Sequence, residues 1–209
     1  MKTRLVILFA CAAFFGSVAS THAQIPKSFA FGIKAGGSHM NTKLVNKPSN
    51  LAFSLTGVRG AKGYQMGVWS TVPLYRWVFL DADLSYSENG HERYLPWSDS
   101  VIAENRYRYI GLSVRPGATY KGAFLSFGPE VNIRTSEKIN SPSQSLPIEW
   151  RLSTHLGYQY RRIRAEVFYT KSLTPYDQNV WDAEKDYKTL FYGSNLGFSV
   201  GLMLTKPKK

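Results

Sequence analysis

Apolar and polar residues alternate with a period of two along most of the chain, which is the pattern of half-buried β-strands. The alternation breaks at intervals, and no helical periodicity of useful length lies between the breaks. Eight strands are therefore predicted, over residues 28–41, 63–74, 77–87, 110–120, 123–134, 148–160, 163–172 and 191–204. The sequence predicts an all-β fold.

The connections between the predicted strands alternate strictly in length. Long loops are predicted over residues 42–62, 88–105, 135–147 and 173–190, and tight turns at Tyr75-Arg76, Lys121-Gly122 and Arg161-Arg162. In an antiparallel up-and-down array, the long loops then lie at one end and the short turns at the other. This layout is typical of an outer-membrane barrel, with short periplasmic turns and longer extracellular loops. We predict an eight-stranded antiparallel up-and-down transmembrane β-barrel.

The polar face of the strands indicates which side of the sheet meets water. It is dominated by Gly and Ser with isolated charges of both signs, whereas the exterior of a soluble sheet is normally dense in Lys, Glu, Asp and Thr. Small residues suit the interior of an eight-stranded barrel, which is only wide enough for side chains to fill it. The residues predicted to point inward are Asp81, Asp83, Arg115, Glu130, Arg134, Glu149, Arg151, Arg164 and Glu166. A soluble secreted β-barrel, with its apolar residues inside, is the alternative.

The segment "LSVRPGATYKGAFLSFGPE", residues 112–130, gives the most specific prediction. A two-residue turn pairs Tyr120 with Ala123, and the antiparallel register then sets Arg115 opposite Gly128, with Glu130 one diagonal step away. We expect Arg115 and Glu130 to pair inside the barrel. The residues expected to meet lipid here are Leu112, Val114, Leu125 and Phe127.

Aromatic and cationic residues mark the end of the barrel that carries the short turns. The aromatic residues near these turns are Tyr75, Trp77, Tyr120, Tyr158 and Tyr160, as in an interfacial aromatic girdle. The cations beyond them are Arg76, Lys121, Arg161 and Arg162. These positions suit contact with anionic lipid head groups.

The first residues have the pattern of a secretory signal peptide. Lys2 and Arg4 form a positive region, residues 5–15 are apolar, and small residues end at Ala23. We predict a signal peptide over 1–23 and a barrel domain over 24–209. Cys11 is the only cysteine and lies in the predicted signal, which leaves the mature chain without a disulfide scaffold or a cysteine-based site.

The charge of the chain bears on its partners. The formal net charge is +12, or +10 without Lys2 and Arg4. In an exported protein, this basicity favours anionic lipid or polyanionic glycans over nucleic acid as the partner. We expect an outer-membrane location, contact with outer-membrane lipid and no nucleic-acid partner.

Four segments together resemble a known family. They are "AQ" at the end of the signal, the first strand "FAFGIKAGGSHMN", the central hairpin "YIGLSVRPGATYKGAFLSFGPEVNIR" and the closing strand "SNLGFSVGLML". Over essentially the whole mature chain they are similar to the PorT-like outer-membrane β-barrel family common in Bacteroidetes. The resemblance implies a structural or interaction role, for example in a secretion or envelope complex, through the long loops or the periplasmic turns.

One constellation offers an alternative with chemistry. Ser153, His155 and Glu166 fall on inward faces of neighbouring strands, and acyl transfer needs a nucleophile, a base and an orienting carboxylate in contact. Lipid A deacylases are eight-stranded barrels with such residues, but there the histidine precedes the serine and the pair faces the membrane. Our expectation is a non-enzyme without catalytic, cofactor or metal residues, and a barrel enzyme acting on envelope lipid is the alternative. The aromatic residues in the predicted loops are Trp97, Trp181 and Tyr187, the first candidates for contact with a surface partner.

Overall fold

The described part of the chain forms eleven β-strands in a single sheet. The computed structural model describes residues 29–45, 57–139, 144–182 and 187–205. The strands are β1 (Ala30–Val45), β2 (Gly57–Gly60), β3 (Lys62–Pro73), β4 (Val78–Leu95), β5 (Ser100–Tyr120), β6 (Ala123–Lys138), β7 (Gln144–Ser145), β8 (Ile148–Tyr160), β9 (Ile163–Ser172), β10 (Asp177–Asp182) and β11 (Tyr187–Met203). The described part of the chain contains no helix long and apolar enough to cross a membrane.

Eight of these strands close into a ring. The order is β1-β3-β4-β5-β6-β8-β9-β11, and β11 pairs antiparallel with β1 over the range from Gly32↔Met203 to Val45↔Leu190. All neighbours in the ring are antiparallel, and apart from the closing pair β11–β1 each strand pairs with the next ring strand along the chain. The predicted eight-stranded up-and-down barrel is confirmed as the fold.

The three other strands extend the barrel at one end. Strand β2 pairs with the last residues of β4, while β10 pairs with the first residues of β11 and with β7. We call this the loop end, and the opposite end, which carries the three hairpin turns, the turn end. These additional pairings extend the sheet at the loop end beyond the eight strands of the ring.

The strand boundaries agree with the sequence pattern on the turn side and depart from it on the loop side. Strands β8 and β9 lie where they were predicted, but the predicted loop 88–105 is wrong, because β4 and β5 continue through it with 18 and 21 residues. Here outward-facing side chains such as Glu88, Arg106 and Arg108 are charged, and inward-facing ones such as Asn89 and His91 are polar, so apolar alternation no longer indicates the strand. Backbone pairing from Ser87↔Tyr109 to Leu95↔Ser100 holds the hairpin together instead.

The turns show how the short connections close. At Lys121-Gly122 both residues have positive φ, 48° and 88°, as a type I′ hairpin turn requires. At Arg161-Arg162 the pairing of Tyr160 with Ile163 confirms a two-residue turn, with φ 52° at Arg161. The first turn is wider than predicted, since β3 ends at Pro73 and β4 begins at Val78.

Side chains are distributed inside out relative to a soluble protein. The four residues of the central hairpin predicted to meet lipid are 43–51% exposed on the outer surface. Of the nine charged residues predicted to point inward, seven are buried and Glu130 and Arg134 are partly buried. The predicted face assignment is confirmed on these strands.

Glycines and aromatic rings share the narrow interior. A Cβ added at Gly32, Gly117, Gly157 or Gly197 would overlap the ring of Trp69, Phe79, Phe124 or Phe168, respectively. Each glycine thus leaves the space into which a ring from the adjacent strand folds. This crowding explains why the polar face of the strands is rich in glycine. The inward orientation of the four aromatic residues could not be predicted from simple alternation of apolar and polar residues.

Candidate functional site in the barrel lumen

Six buried charges form a connected network across the lumen, on strands β1, β4, β5 and β9. They are Lys34, Asp81, Asp83, Arg115, Arg164 and Glu166. Arg164 Nη2 lies 2.5 Å from Asp81 Oδ2, and its Nε donates to Glu166 Oε2 at 3.1 Å. Glu166 Oε1 accepts from Lys34 Nζ at 2.9 Å and from Ser199 at 2.8 Å. The three positive charges of this network equal its three negative charges, and buried charges need such pairing because an unpaired buried charge is strongly destabilising.

The other half of this network centres on Asp83. Its Oδ1 lies 3.1 Å from Lys34 Nζ, and its Oδ2 accepts from the guanidinium of Arg115. Arg115 also donates to Ser113 and, at 3.4 Å, to Ser126. The ion pair of Arg115 thus crosses the β4–β5 ladder, whereas its contact across the β5–β6 ladder is the hydrogen bond to Ser126.

The predicted ion pair between Arg115 and Glu130 is therefore wrong. The predicted register is right, since Ser113↔Glu130 and Gly117↔Ser126 place Gly128 opposite Arg115. Glu130 instead accepts from Asn132 at 2.7 Å and lies 3.9 Å from Arg151. The prediction considered only the hairpin partner, whereas Arg115 has a second neighbouring strand with an acidic residue at a similar height.

Ser153, His155 and Glu166 are brought into contact. Ser153 Oγ lies 2.8 Å from His155 Nε2, and His155 Nδ1 lies 3.2 Å from Glu166 Oε1. The ring of His155 stacks on Phe168 with centroids 5.6 Å apart. The order of contacts is that of a nucleophile, a base and an orienting carboxylate.

The surroundings of this trio differ from those of an acyl-transfer site. Ser153 has no exposed surface, so no substrate reaches its hydroxyl in this conformation. Its backbone lies within the β6–β8 and β8–β9 ladders, where N–H groups pair with neighbouring strands and do not converge on an oxyanion. Glu166 is shared with Lys34 and Arg164, as in a structural network.

A small polar cavity adjoins His155 in the middle of the lumen. Its volume is about 20 Å³, enough for one or two water molecules. Three buried polar atoms on its lining residues have neither a hydrogen bond nor an ionic contact in the described chain: Gln65 Nε2, Thr170 Oγ1 and Asn195 Oδ1. The cavity is a hydration site within the network and not a binding pocket of ligand size.

Aromatic residues close the lumen at the loop end. The buried cluster comprises Met40, Tyr107, Tyr109, Tyr176 and Phe191, with His91 stacked on Phe191 at a centroid distance of 5.1 Å. The Tyr176 hydroxyl contacts Thr42 Oγ1 at 3.0 Å and His91 Nδ1 at 3.1 Å, and burial raises the pKa of Tyr176. Tyr107 donates to the carboxylate of Asp177. We call this cluster the aromatic cap.

A second set of rings narrows the lumen at the turn end. Phe79 and Phe124 meet edge to face with centroids 6.3 Å apart, and Trp69 packs with Met203. The guanidinium of Arg164 lies 4.0 Å from the Phe124 centroid and 4.9 Å from that of Trp69, at distances typical of cation–π contacts. The described side chains thus fill the lumen from one end to the other.

The remaining candidate residues have separate positions. Trp97 lies at the tip of the β4–β5 hairpin, 65% exposed. The side chains of Trp181 and Tyr187 lie outside the described residues. Within the described ranges, no group of three or more His, Asp or Glu side chains could hold a metal ion.

Comparison with solved structures identifies the class of fold. Neisserial surface protein A matches with a TM-score of 0.54 at 12% identity, over 82% of this chain and 96% of that one. The outer membrane protein OprG from Pseudomonas aeruginosa matches with a TM-score of 0.52 at 12% identity, over 86% of this chain and 97% of that one. The chain thus has the fold of the eight-stranded barrels found among outer-membrane proteins. No family model and no curated protein matches the sequence, and the resemblance to the PorT-like family stays a prediction.

Proposed function

We propose that the protein is an integral outer-membrane β-barrel with a structural or interaction role. The observation that supports this proposal is the inverted arrangement of side chains: apolar residues cover the outside of a closed ring, while ion pairs fill its interior. Leu112, Leu125, Leu156 and Phe198 are each about half exposed or more, at 50%, 51%, 54% and 62%. A soluble monomer rarely exposes a contiguous apolar surface of more than a few hundred Å².

The energetic argument favours lipid over water around this surface. Removing apolar surface from water contributes about 25 cal/mol per Å², so every 100 Å² of covered exterior stabilises the barrel by about 2.5 kcal/mol. The closed ring also pairs the backbone groups of its eight strands with each other, which is the condition for crossing a bilayer. Both requirements of a membrane barrel are met by the same strands.

The finer parts of the proposal concern export and partners. Cleavage after Ala23 would deliver the chain across the inner membrane, and the short turns would then face the periplasm. The four segments similar to PorT-like proteins favour a role in a secretion or envelope complex. The loop end, with Trp97 at the hairpin tip, and the turn end are the surfaces available to such partners.

A non-conducting barrel is part of this proposal. Between the aromatic cap and the rings at the turn end, the described residues enclose a cavity of about 20 Å³, too small for a continuous water-filled channel. Planar-bilayer recording of the reconstituted protein should therefore show no stable single-channel current. Regular ohmic steps in wild-type protein, absent from a matched empty-detergent control, would instead favour a pore.

The membrane assignment is tested by the behaviour of the folded protein. We expect purification to require detergent, and we expect unboiled and boiled samples to migrate differently on a gel because the closed barrel resists unfolding. A protein that remains monomeric in detergent-free buffer and shows no such shift would be a soluble barrel.

A second candidate function rests on the contacts of Ser153, His155 and Glu166, which give a barrel enzyme acting on envelope lipid. If the trio is catalytic, Ser153→Ala abolishes hydrolysis of phospholipid or lipid A by folded protein. If the trio is structural, as the burial of Ser153 favours, wild-type protein shows no hydrolysis above that of Ser153→Ala. In both cases, the difference in migration between unboiled and boiled samples serves as the control that the Ser153→Ala variant is folded.

A further inference from the structure

Four exposed cations occupy the hairpin turns at the turn end. They are Arg76, Lys121, Arg161 and Arg162, which we call the cationic rim. None of them forms an ion pair with a described residue, and no Asp or Glu occurs among the described residues of the turns and adjoining strand ends, 29–31, 73–79, 119–124, 158–163 and 203–205. The rim is thus a surface of one sign.

The loop end is different, although it also carries many cations. Arg59 contacts Glu92 and Asp99, each at 2.8 Å, and Arg108 contacts Glu88 at 2.9 Å. Arg59 and Arg108 at the loop end are therefore neutralised by carboxylates of the same sheet. Among the described residues, the loop end thus mixes paired arginines and carboxylates with exposed lysines, whereas the hairpin turns of the turn end carry cations without carboxylates.

The position of the rim around the ring favours a flat partner. Its cations lie on the three turns that join β3 to β4, β5 to β6 and β8 to β9, so they are distributed over three sides of the barrel. A compact anion would contact one turn only. A planar anionic surface perpendicular to the barrel axis would contact all three together.

Backbone strain at the rim indicates that the cations are there for a reason other than turn formation. Among the described residues, three non-glycine residues have positive φ: Asp99, Lys121 and Arg161. Lys121 and Arg161 are rim cations at positions where Asn or Gly would fit without the cost of a left-handed conformation, about 1 kcal/mol. Strained residues of this kind often mark functional sites.

Exposed tyrosines lie beside two of the rim cations. The ammonium of Lys121 lies 5.3 Å from the ring centroid of Tyr120, and the guanidinium of Arg161 lies 5.3 Å from that of Tyr160. Tyrosine with a cation above it is the combination that membrane proteins place at the head-group level of a bilayer. The rings would lie at the edge of the hydrocarbon, and the cations among the phosphates.

We propose that the cationic rim binds the head groups of anionic phospholipids in the periplasmic leaflet and selects them over zwitterionic ones. The proposal rests on the membrane barrel proposed above. Each cation near an anionic membrane surface raises the affinity for that surface roughly fivefold. Four such cations are therefore enough for a clear preference for anionic over zwitterionic phospholipid.

Native mass spectrometry of the detergent-solubilised barrel, with phosphatidylglycerol and phosphatidylcholine at equal concentrations, tests this proposal. We expect wild-type protein to retain phosphatidylglycerol at least about tenfold more than phosphatidylcholine, because several of these per-cation effects combine. The variant with Arg76→Gln, Lys121→Gln, Arg161→Gln and Arg162→Gln should lose most of this preference. Gln is uncharged and keeps the Cβ, Cγ and Cδ atoms of Lys and Arg, and it leaves the φ strain of the turns unchanged.

A matched control removes the same charge from the loop end, by Lys43→Gln, Lys62→Gln, Lys138→Gln and Lys171→Gln, all at exposed positions. This control should keep the preference of wild-type protein. Equal loss in both variants, or a preference that survives removal of the rim, would overturn the proposal. If the rim variant does not fold, the wild-type preference must still fall on raising the salt from about 0.05 M to about 0.5 M, because screening weakens exposed charges.

Different experimental results would contradict the membrane assignment and the lipid preference. Wild-type protein without a heat-dependent gel shift would contradict the membrane barrel itself. A barrel that shows the shift but retains both lipids equally would contradict only the role of the rim.

Discussion

The ion pair between Arg115 and Asp83 allows a test of how the lumen is held together. Both side chains are buried, 1% and 5% exposed, and they belong to a network in which three cations balance three carboxylates. Asp83→Asn removes the carboxylate that forms an ion pair with Arg115, and it leaves this buried cation with neutral partners, the amide oxygen and the hydroxyls of Ser113 and Ser126. Since removing one partner of a buried pair typically costs about 3–5 kcal/mol, we expect a loss of that size in the free energy of unfolding.

The reverse substitution should cost less. In Arg115→Met, Asp83 keeps Lys34 at 3.1 Å as a counter-charge, so a loss of about 2–3 kcal/mol is expected. The double variant restores a balance of two cations and two carboxylates in the network. Its cost should be at least about 1 kcal/mol below the sum of the single costs, within the range measured for contacting residues.

Urea unfolding in phosphatidylcholine vesicles, followed by tryptophan fluorescence, measures these free energies. Arg108→Met serves as the control, because its pair with Glu88 is on the surface and should be worth about 0.2–1 kcal/mol. Additive single costs, or a cost of Asp83→Asn no larger than that of the control, would show that the lumenal charges do not act as a connected network.

Three further outcomes are expected from the same assay. Phe127→Arg places a charge on the lipid-facing surface and should cost about 2–4 kcal/mol near the bilayer centre; an effect below about 0.5 kcal/mol would contradict the assigned face. Gly197→Ala should cost about 1–3 kcal/mol because its methyl group overlaps the Phe168 ring, and combination with Phe168→Leu should recover part of the loss. Lys121→Asn should raise the free energy of unfolding by about 0.5–1 kcal/mol, because Asn tolerates the left-handed conformation better; an unchanged or lower value would show that Lys121 is not strained there.

The sequence predicted the strands whose outer face is apolar. There the apolar residues alternate with small or polar ones, and β8 and β9 were therefore found residue for residue. In the upper half of the β4–β5 hairpin the outward-facing side chains include several charges, and Asn89 and His91 were assigned to a loop although they continue a strand. Apolar alternation thus predicts a strand only where one of its faces is apolar.

The lumenal contacts were predicted less completely, for a related reason. Faces and register follow from a period of two, and they correctly brought Ser153, His155 and Glu166 together. Faces and register do not show which of the two neighbouring strands supplies the ion-pair partner of a lumenal residue. Arg115 was therefore assigned to Glu130 instead of Asp83. The aromatic cap was missed as well, because Met40, Tyr107 and Tyr176, which form part of it, lie in distant parts of the chain.

The pairing of β1 with β11 has a consequence for how the chain can be rearranged. Gly32 lies beside Met203, and the amide of Leu204 donates to the carbonyl of Phe31 at 2.8 Å, so the two ends of the described barrel are adjacent. A short linker could join them without crossing the lumen, and new ends could be cut at the exposed tip of the β4–β5 hairpin near Trp97. The order in which the strands are synthesised would change, but every pair of neighbouring strands in the ring would be retained. The barrel is in this sense circular, and its starting strand is a matter of gene order and not of architecture.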